Sequence, residues 1–384
     1  MQKKEETDYS CGIYIHIPFC RQACRYCDFY FTVSLQYVNE FIQAVGKEYI
    51  SREKELSGKP VSSIYFGGGT PSILNIKQLA ELLVTLRKIY HPESNAEITI
   101  EVNPDDMDPV YASELFNIGF NRISIGVQSF DNEDLNLMRR SHDSMQAVTA
   151  VQNAFKAGFR NISIDLIYGI PGGTNQKWEK NLQMAFNMPI GHLSAYHLTY
   201  EPDTVFGHWI KQGRIRPVPE EESLRHYQLL REIAQDHQFL HYEISNFGKN
   251  GYFSRHNMIY WKRKNYIGVG PSAHSFNGRE RRWNISSLKR YLAAIDTGEI
   301  YYETEKLGTR EHYHDYLITA LRTREGINKS DLESVFGREI IDHFRNRTMK
   351  FIENGQLVDE KEYVRMTPES WFISDYVIEG LFLE

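Results

Sequence analysis

The chain holds four cysteines, Cys11, Cys20, Cys24 and Cys27, and none in the long stretch that follows. A disulfide framework would spread them over the chain, so a crowd at one end asks for a local chemical reason. Cys20, Cys24 and Cys27 form a C-x3-C-x2-C run, a spacing that reads as a metal or cluster site. Three thiolates on a four-iron cluster leave one iron without a protein sulfur, and a small molecule can bind there. A structural zinc ion wants four protein ligands. Asp28 or His16 could be the fourth, and Cys11 is a further candidate. Cys11 precedes the first predicted strand, however, at the opposite end from the loop, and reads as a lone thiol at the base of the fold.

A second chemical feature is Gly67-Gly68-Gly69-Thr70-Pro71, directly after the strand-like run Val61 to Phe66. Glycines lack Cβ and allow close backbone approach. The run lacks the Lys-Ser/Thr that a phosphate loop needs. Its plain reading is a tight strand-to-helix turn. Glu101, Gln128 and Asp165 lie at or near the ends of further predicted strands. Each alone could be a structural cap. His142 and His197 read as ordering or interior polar residues. His312 and His314 lie two apart on a predicted helix, do not face each other, and make a weak metal pair.

The elements that position these residues follow from periodicity. Strands are predicted over 12–17, 61–66, 96–102, 122–127, 161–167 and 192–198. Helices are predicted over 34–55, 76–90, 109–117, 131–138, 144–157, 175–187 and 220–235. Six strand-then-helix units imply a parallel sheet with right-handed crossovers, either an open doubly wound sheet or a barrel. The cysteines, Gly67 to Pro71, Glu101 to Pro104, Gln128 and Tyr168 to Gly173 all follow strands. Ligands bind at that end in both architectures, so the motifs converge in space. Gly248 to Ser275 reads as a structured loop segment. From Thr309 come three helices (312–322, 329–336, 338–353) and two strands (355–359, 363–367), a winged-helix pattern. Acidic residues run through those helices, which favours packing or protein contact over DNA binding.

The 384 residues, at about 150 per domain, allow one large domain and a small one. Apolar residues are 41% and charged residues 24%, which excludes wholesale disorder. Lys plus Arg is 44 against 50 Asp plus Glu, so the chain is mildly acidic and no nucleic-acid partner is expected. No apolar run is long enough to span a membrane. Met1 to Ser10 has no apolar core of a secretory signal. The expectation is a cytoplasmic protein.

Seven motifs in order carry a resemblance. They are Tyr14-Ile-His-Ile-Pro-Phe-Cys20 with Cys27-Asp-Phe29, Phe66 to Ser72, Glu101-Val-Asn-Pro104, Arg122 to Phe130, Asp165 to Gly172 and Tyr242 to Phe247. The cysteine loop resembles that of the radical S-adenosylmethionine superfamily. The surroundings resemble its oxygen-independent coproporphyrinogen III oxidase group, and within that group the HemW-type haem chaperones. The resemblance runs from about Gly12 to the C-terminus. It implies a partial (β/α)6 barrel over residues 1–245, an extension over 246–305 and a winged-helix-like α+β domain over 306–384.

It further implies a [4Fe-4S] cluster on Cys20, Cys24 and Cys27, with S-adenosyl-L-methionine chelating the open iron. Gly67, Gly68, Gly69 and Thr70 match the strand end that holds the methionine amino group. Arg140 matches the arginine that pairs with the methionine carboxylate, with Arg139 as its alternative. Glu101 matches the carboxylate ending the third strand, and Gln128 and Asp165 match residues that hydrogen-bond ribose or amino groups. Tyr14 matches a position on the cofactor side of the cluster. Phe29 shields the cluster in this reading.

Two positions divide the group. The oxidases resemble C-x3-C-x2-C-x-C, and here the last position is Phe29. They also carry an N-terminal extension before the first strand. The HemW-type chains carry His256-Asn257-Met-Ile-Tyr260-Trp261, whose histidine is implicated in haem binding. Imidazole is a usual axial ligand, and Tyr260 and Trp261 could pack on the macrocycle. The plain alternative has His256 as a cap and the aromatics as core. Gly268 to Ser275 resembles a motif at the active-site mouth, and His274 is the second candidate haem contact. The resemblance thus implies a haem chaperone with haem as cargo, haem-accepting respiratory or other proteins as partners, and at most transient membrane association. The alternatives are a coproporphyrinogen III decarboxylase or another radical enzyme, and a binding protein whose cluster is structural.

Overall fold

The computed structural model describes residues 10–56 and 58–384. The reading of the first ten residues as no signal segment therefore lies, up to residue 9, outside the described residues. Six parallel strands stand in sequence order: β1 (Cys11–Ile17), β2 (Val61–Gly68), β3 (Glu97–Val102), β4 (Arg122–Gln128), β5 (Asn161–Tyr168) and β6 (His192–His197). Between and after them lie α1 (Val38–Ser51), α2 (Ile76–Tyr90), α3 (Pro109–Ile118), α4 (Asn132–Met138), α5 (Ser144–Ala157), α6 (Asn175–Phe186), α7 (Val205–Lys211) and α8 (Glu220–Asp236). This is the partial (β/α)6 barrel.

Side-chain alternation explains the layering. Ile13, Ile15, Ile64, Phe66, Ile100, Ile123, Ile125, Ile162 and Ile164 are fully buried and belong to the apolar cluster that the helices also join. The intervening residues are polar: Tyr14 and His16, Ser63 and Tyr65, Glu97 to Glu101 in alternation, Arg122 and Ser124, Ser163 and Asp165. They bond to one another across strands, as Tyr65 does to Glu101 and Ser124 to Asp165. The barrel interior is therefore built for hydrogen bonding and charge, not for packing. Local signals set the helix ends: Asn75 with Gln78 and Asp143 with Gln146 form capping boxes, and Gly119 and Gly158 end α3 and α5 at positive φ.

Residues 248–275 differ from the expected loop. After β7 (Leu240–Glu243) and β8 (Asn246–Gly248) come α9 (Arg255–Trp261), β9 (Asn265–Val269), β10 (His274–Phe276), β11 (Glu280–Asn284), α10 (Leu288–Thr297) and β12 (Tyr302–Lys306). β9 pairs parallel with β1, and β10 to β12 continue antiparallel, so the barrel sheet runs on beyond its first strand. These strands are short, and their pairing partner lies at the other end of the chain, which local periodicity does not show. Buried Glu48 of α1 ties this extension down through Tyr291, Asn284, the Gly270 amide and Arg52.

The last domain runs α11 (Thr309–Leu321), β13 (Ile327–Asn328), α12 (Lys329–Phe336), α13 (Arg338–Glu353), β14 (Leu357–Asp359), β15 (Tyr363–Met366) and α14 (Ser374–Glu379). The three strands pair in the order β13, β15, β14, which is the winged-helix-like arrangement expected. It packs on the barrel through Trp371 against His241 and Tyr227 beside Phe372. Among the described residues no helix is long and apolar enough to cross a membrane.

Candidate functional site

The cysteine loop leaves the top of β1 and is clamped from two sides. The Cys20 amide donates to the Thr32 carbonyl at 2.9 Å, which closes the loop on itself. The Gly69 and Thr70 amides donate to the Ile17 and Phe19 carbonyls at 2.8 Å each, which fastens it to the end of β2. Only glycine fits at residue 69, because a Cβ would stand 2.7 Å from the Phe19 carbonyl oxygen and 3.0 Å from Cys20 Sγ. On the other side Arg25 lies over the Trp209 ring at 4.7 Å and donates to the Leu137 carbonyl at 3.0 Å. These contacts hold the loop rigidly over the polar barrel.

Cys20, Cys24 and Cys27 are free, half-buried thiols. Thr70 Oγ1 donates toward Cys20 Sγ at 3.6 Å, and Arg140 Nη1 toward Cys24 Sγ at 3.4 Å. Burial, then the neighbouring Cys24 and Cys20, push the Cys27 thiol up to about 12. Among the described residues no three His, Cys, Asp or Glu side chains converge as a site for a metal ion. A cubane cluster does not require such convergence, since each thiolate binds a different iron. The donors on Cys20 and Cys24, and the Gly69 cradle beneath, suit sulfurs that carry negative charge. His16 is not the fourth ligand of a zinc site. Its Nε2 faces the Tyr30 carbonyl at 3.0 Å and its Nδ1 the Tyr14 hydroxyl at 3.2 Å. Cys11 is the first residue of β1, buried at the opposite end of the strand.

Arg140 is brought inward because Arg139 ends α4 in the left-handed region at φ 59°, which leaves Arg139 itself exposed. Arg140 Nη2 donates to Asn103 Oδ1 at 2.7 Å and to the Gly126 carbonyl at 2.9 Å. Its Nε is buried and has no partner among the described residues, an unused donor next to the cysteine loop. Beneath it His142 bonds the Val127 carbonyl at 3.0 Å, and burial with the Arg140 charge lowers that ring to about 4.

Glu101 accepts from the Tyr65 hydroxyl at 2.7 Å and from the Gly68 amide at 3.3 Å. Burial, and behind it the charge of Asp165, push its carboxyl up to about 7. Asp165 lies three residues before the end of β5, accepts from Ser124 Oγ at 3.1 Å, and is also raised by burial. Gln128 ends β4 at φ 67°, a conformation unusual for a side chain with Cβ and one found at functional sites. Tyr14 stacks on Tyr65 with ring centroids 6.1 Å apart. The motif residues from β1 to β5 thus meet at one end of the barrel. Tyr65 and Asn103 join them without having been singled out. Tyr65 precedes Gly67 by two residues, so the strand period already places both on one face.

His256 lies against Tyr65 and Tyr14, toward the start of the strands. Its ring is 1% exposed at the floor of the barrel. Nδ1 pairs with Ser63 Oγ at 2.7 Å and Nε2 with the Tyr260 hydroxyl at 2.8 Å, and the ring stacks on Tyr65 at 5.0 Å. Both ring nitrogens thus have hydrogen-bond partners in this structure. Tyr260 makes that same contact, and Trp261 lies half-buried beside it with no hydrogen-bond partner for its Nε1 among the described residues. Phe29 does not cover the cysteines: it is 69% exposed. His274, at the start of β10, is exposed and stacks on Trp283 with centroids 6.3 Å apart. His312 and His314 are tied separately, to Arg263 and to the Leu383 amide.

An open parallel barrel with a three-cysteine loop clamped at its mouth defines the class of radical S-adenosylmethionine proteins. Residues 14–185 match the radical SAM superfamily model, and residues 308–373 match the HemN C-terminal domain. The chain is 33% identical over 374 residues to the heme chaperone HemW of Bacillus subtilis, covering 96% of this chain and 98% of that one. It is 36% identical over 335 residues to the heme chaperone HemW of Synechocystis, covering 84% and 80%. In structure it is similar to the coproporphyrinogen III oxidase HemN of Escherichia coli, with TM-score 0.84 and 22% identity over 97% of this chain and 90% of that one. The chain belongs to the HemW family of the radical SAM superfamily.

Proposed function

We propose that the chain is a cytoplasmic haem chaperone that carries a [4Fe-4S] cluster and S-adenosylmethionine at the barrel mouth and delivers haem to acceptor proteins, respiratory haem proteins among them. The observation that carries the haem half is likeness along almost the whole length of proteins named heme chaperones. Phe29 in place of a fourth loop cysteine supports the same side of the division.

Cys20, Cys24 and Cys27 would hold the cluster, and the Gly67–Thr70 strand end would meet the methionine amino group. The unused Nε of Arg140 suits the methionine carboxylate. Glu101, Gln128 and Asp165 would bind ribose or amino groups. When bound, the pair supplies reductive cleavage chemistry. The chain's own residues do the rest. Arg140 neutralises a carboxylate, Gly69 keeps the loop in register, and Glu101 presents a carboxyl that burial raises to about 7.

The test is an anaerobic titration of the reconstituted protein with haem, run beside an assay for conversion of coproporphyrinogen III. Stoichiometric haem binding with no conversion is expected. Conversion to protoporphyrinogen IX without haem binding would overturn the proposal and leave the decarboxylase reading.

A further inference from the structure

The cysteine loop carries two arginines, Arg21 and Arg25, and the fold treats them differently. Arg21 is neutralised: its Nη2 stands 2.7 Å from Asp106 Oδ1, and its Nε donates to the same oxygen at 3.1 Å. Arg25, between Cys24 and Cys27, pairs with no carboxylate among the described residues. Its Nη1 donates to the Leu137 carbonyl at 3.0 Å and to the Asn136 carbonyl at 3.3 Å, at the end of α4, and its guanidinium lies over the Trp209 ring at 4.7 Å. Carbonyls and an indole face hold a cation in place without cancelling its charge.

The seat of Arg25 is built from two elements far apart in the chain. Its amide donates to the Met138 carbonyl at 3.1 Å, and its carbonyl accepts from the Phe206 amide at 2.9 Å, so its backbone is bonded to α4 and α7 at once. Phe206 is fully buried in an apolar cluster with Leu135, Met138 and Ile170, and Tyr26 and Trp209 pack against that cluster. The turn into α7 is fixed as well. Thr204 Oγ1 accepts from the Gly207 amide at 3.0 Å, and a Cβ at residue 207 would run into the Glu201 carbonyl oxygen. The guanidinium is therefore held beside the loop from outside the loop. Arg140 is the other cation there, facing Cys24 Sγ at 3.4 Å, but in the reading above its charge is taken up by the methionine carboxylate. Arg25 is the cation that stays unpaired.

We infer that Arg25 tunes the reduction potential of the cluster, with Trp209 as the seat that keeps its charge in place. The inference rests on the cluster reading above and concerns reduction alone. Three thiolates make the cluster site negative, and one electron from an external donor adds to that charge without making or breaking a bond. A fixed, unpaired cation in the ligand loop stabilises the reduced form and so raises the potential, net charge being one of the protein's levers on such clusters. Arg25 is covalently next to Cys24, well inside a Debye length of about 8–10 Å. Arg21 with Asp106 presents a neutral pair and has far less effect.

The experiment is an anaerobic potentiometric titration of the reconstituted protein with dithionite, read by the paramagnetic resonance of the reduced cluster. Arg25→Gln is expected to make reduction about tenfold less favourable, which is ~59 mV for one electron. Arg25→Lys keeps the charge and should stay within about twofold of wild type. The double variant Arg21→Gln with Asp106→Asn removes a neutral pair and should match wild type. Trp209→Glu places a carboxylate against Arg25 and should lower the potential below that of Trp209→Gln, a neutral side chain of nearly the same size. That last comparison leaves the loop sequence untouched, so it decides the matter if Arg25→Gln fails to load its cluster. Equal potentials in the two Trp209 variants, or a potential in Arg25→Lys as low as in Arg25→Gln, would overturn the inference and leave the function proposal standing. A wild-type protein that assembles no cluster would overturn the cluster reading and the inference together.

Discussion

Tyr65 donates a hydrogen bond to Glu101 at 2.7 Å inside the barrel. This bond does not suffice to keep Glu101 an ordinary carboxylate. Burial outweighs it, Asp165 adds to burial, and the carboxyl rises to about 7. A carboxyl raised in the folded state favours folding fully below its unfolded value of about 4.5, and that contribution is lost as pH rises through about 7. Glu101→Gln keeps an acceptor for Tyr65 and removes the charge. The cofactor-free variant should therefore match wild type near pH 4 and exceed it above pH 7 by about 1–3 kcal/mol in denaturant unfolding. Equal stability of the two proteins at pH 8 would show that Glu101 is not held near neutrality.

The cluster ligands make a direct prediction. Anaerobic reconstitution should load about four irons per wild-type chain. Cys20→Ala, Cys24→Ala and Cys27→Ala should each lose that iron and its absorption. Cys11→Ala should keep it, because Cys11 is buried at the base of β1. Iron retained by all three loop variants would refute the assignment.

Gly69 supplies a test that touches no ligand. An added Cβ would press on the Phe19 carbonyl oxygen at 2.7 Å and on Cys20 Sγ at 3.0 Å. Backbone cannot yield as a flexible side chain can, so Gly69→Ala should shift the loop and sharply lower iron loading. Gly172→Ala is the control with open space around it. It should keep its iron, though its positive φ will cost some stability. Full loading of the Gly69 variant would mean that the loop is not positioned from β2.

Much of this site was legible in the sequence, and the reasons for what was not are physical. The strands of the barrel show themselves because Ile13, Ile15, Ile64 and Phe66 alternate with polar residues. The ends of those strands bring the motifs together whatever the sheet's curvature. Strands β9 to β12 escaped because each is short and β9 pairs with β1 from far along the chain. The partners of His256 are hidden from periodicity for a related reason. Its motif shows an imidazole beside aromatics, but Ser63, which takes its Nδ1, comes from β2 and is placed only by tertiary packing. Arg140 and Arg139 could not be told apart by periodicity, since the positive φ at Arg139 decides which one faces inward.

Arg140 then has a defined role to lose. Its Nη2 already serves Asn103 and the Gly126 carbonyl, and its Nη1 faces Cys24 Sγ. Nε, buried and without a hydrogen-bond partner among the described residues, and the second Nη1 hydrogen remain. Arg140→Ala should weaken S-adenosylmethionine by roughly 10- to 100-fold, the worth of one charge-assisted bond of about 1.5–3 kcal/mol. Arg139→Ala should bind as wild type. Calorimetric titration of the cluster-loaded variants measures both, and equal affinity in wild type and Arg140→Ala would remove Arg140 from the site.

The floor of the barrel carries the last prediction. His256 joins Ser63 of β2 to Tyr260 of α9 and stacks on Tyr65, while its amide donates to Glu97 at 3.2 Å. Removing the ring leaves a cavity and strands the Ser63 and Tyr260 hydroxyls in a buried place. Lost packing and unpaired polar groups together should cost about 2–4 kcal/mol. His256→Gln can renew one of the two bonds and should cost less than His256→Ala. The pH dependence reports on this packing role. Burial depresses the ring to about 3, so it folds neutral. A histidine with a depressed folded value loses stability as pH falls through its unfolded value of about 6.5 toward about 3. Wild type should therefore lose stability on acidification from pH 7 to pH 5 by more than His256→Ala does, measured as the shift in unfolding midpoint. Parallel acid curves for the two proteins would show that His256 does not titrate against the floor of the barrel.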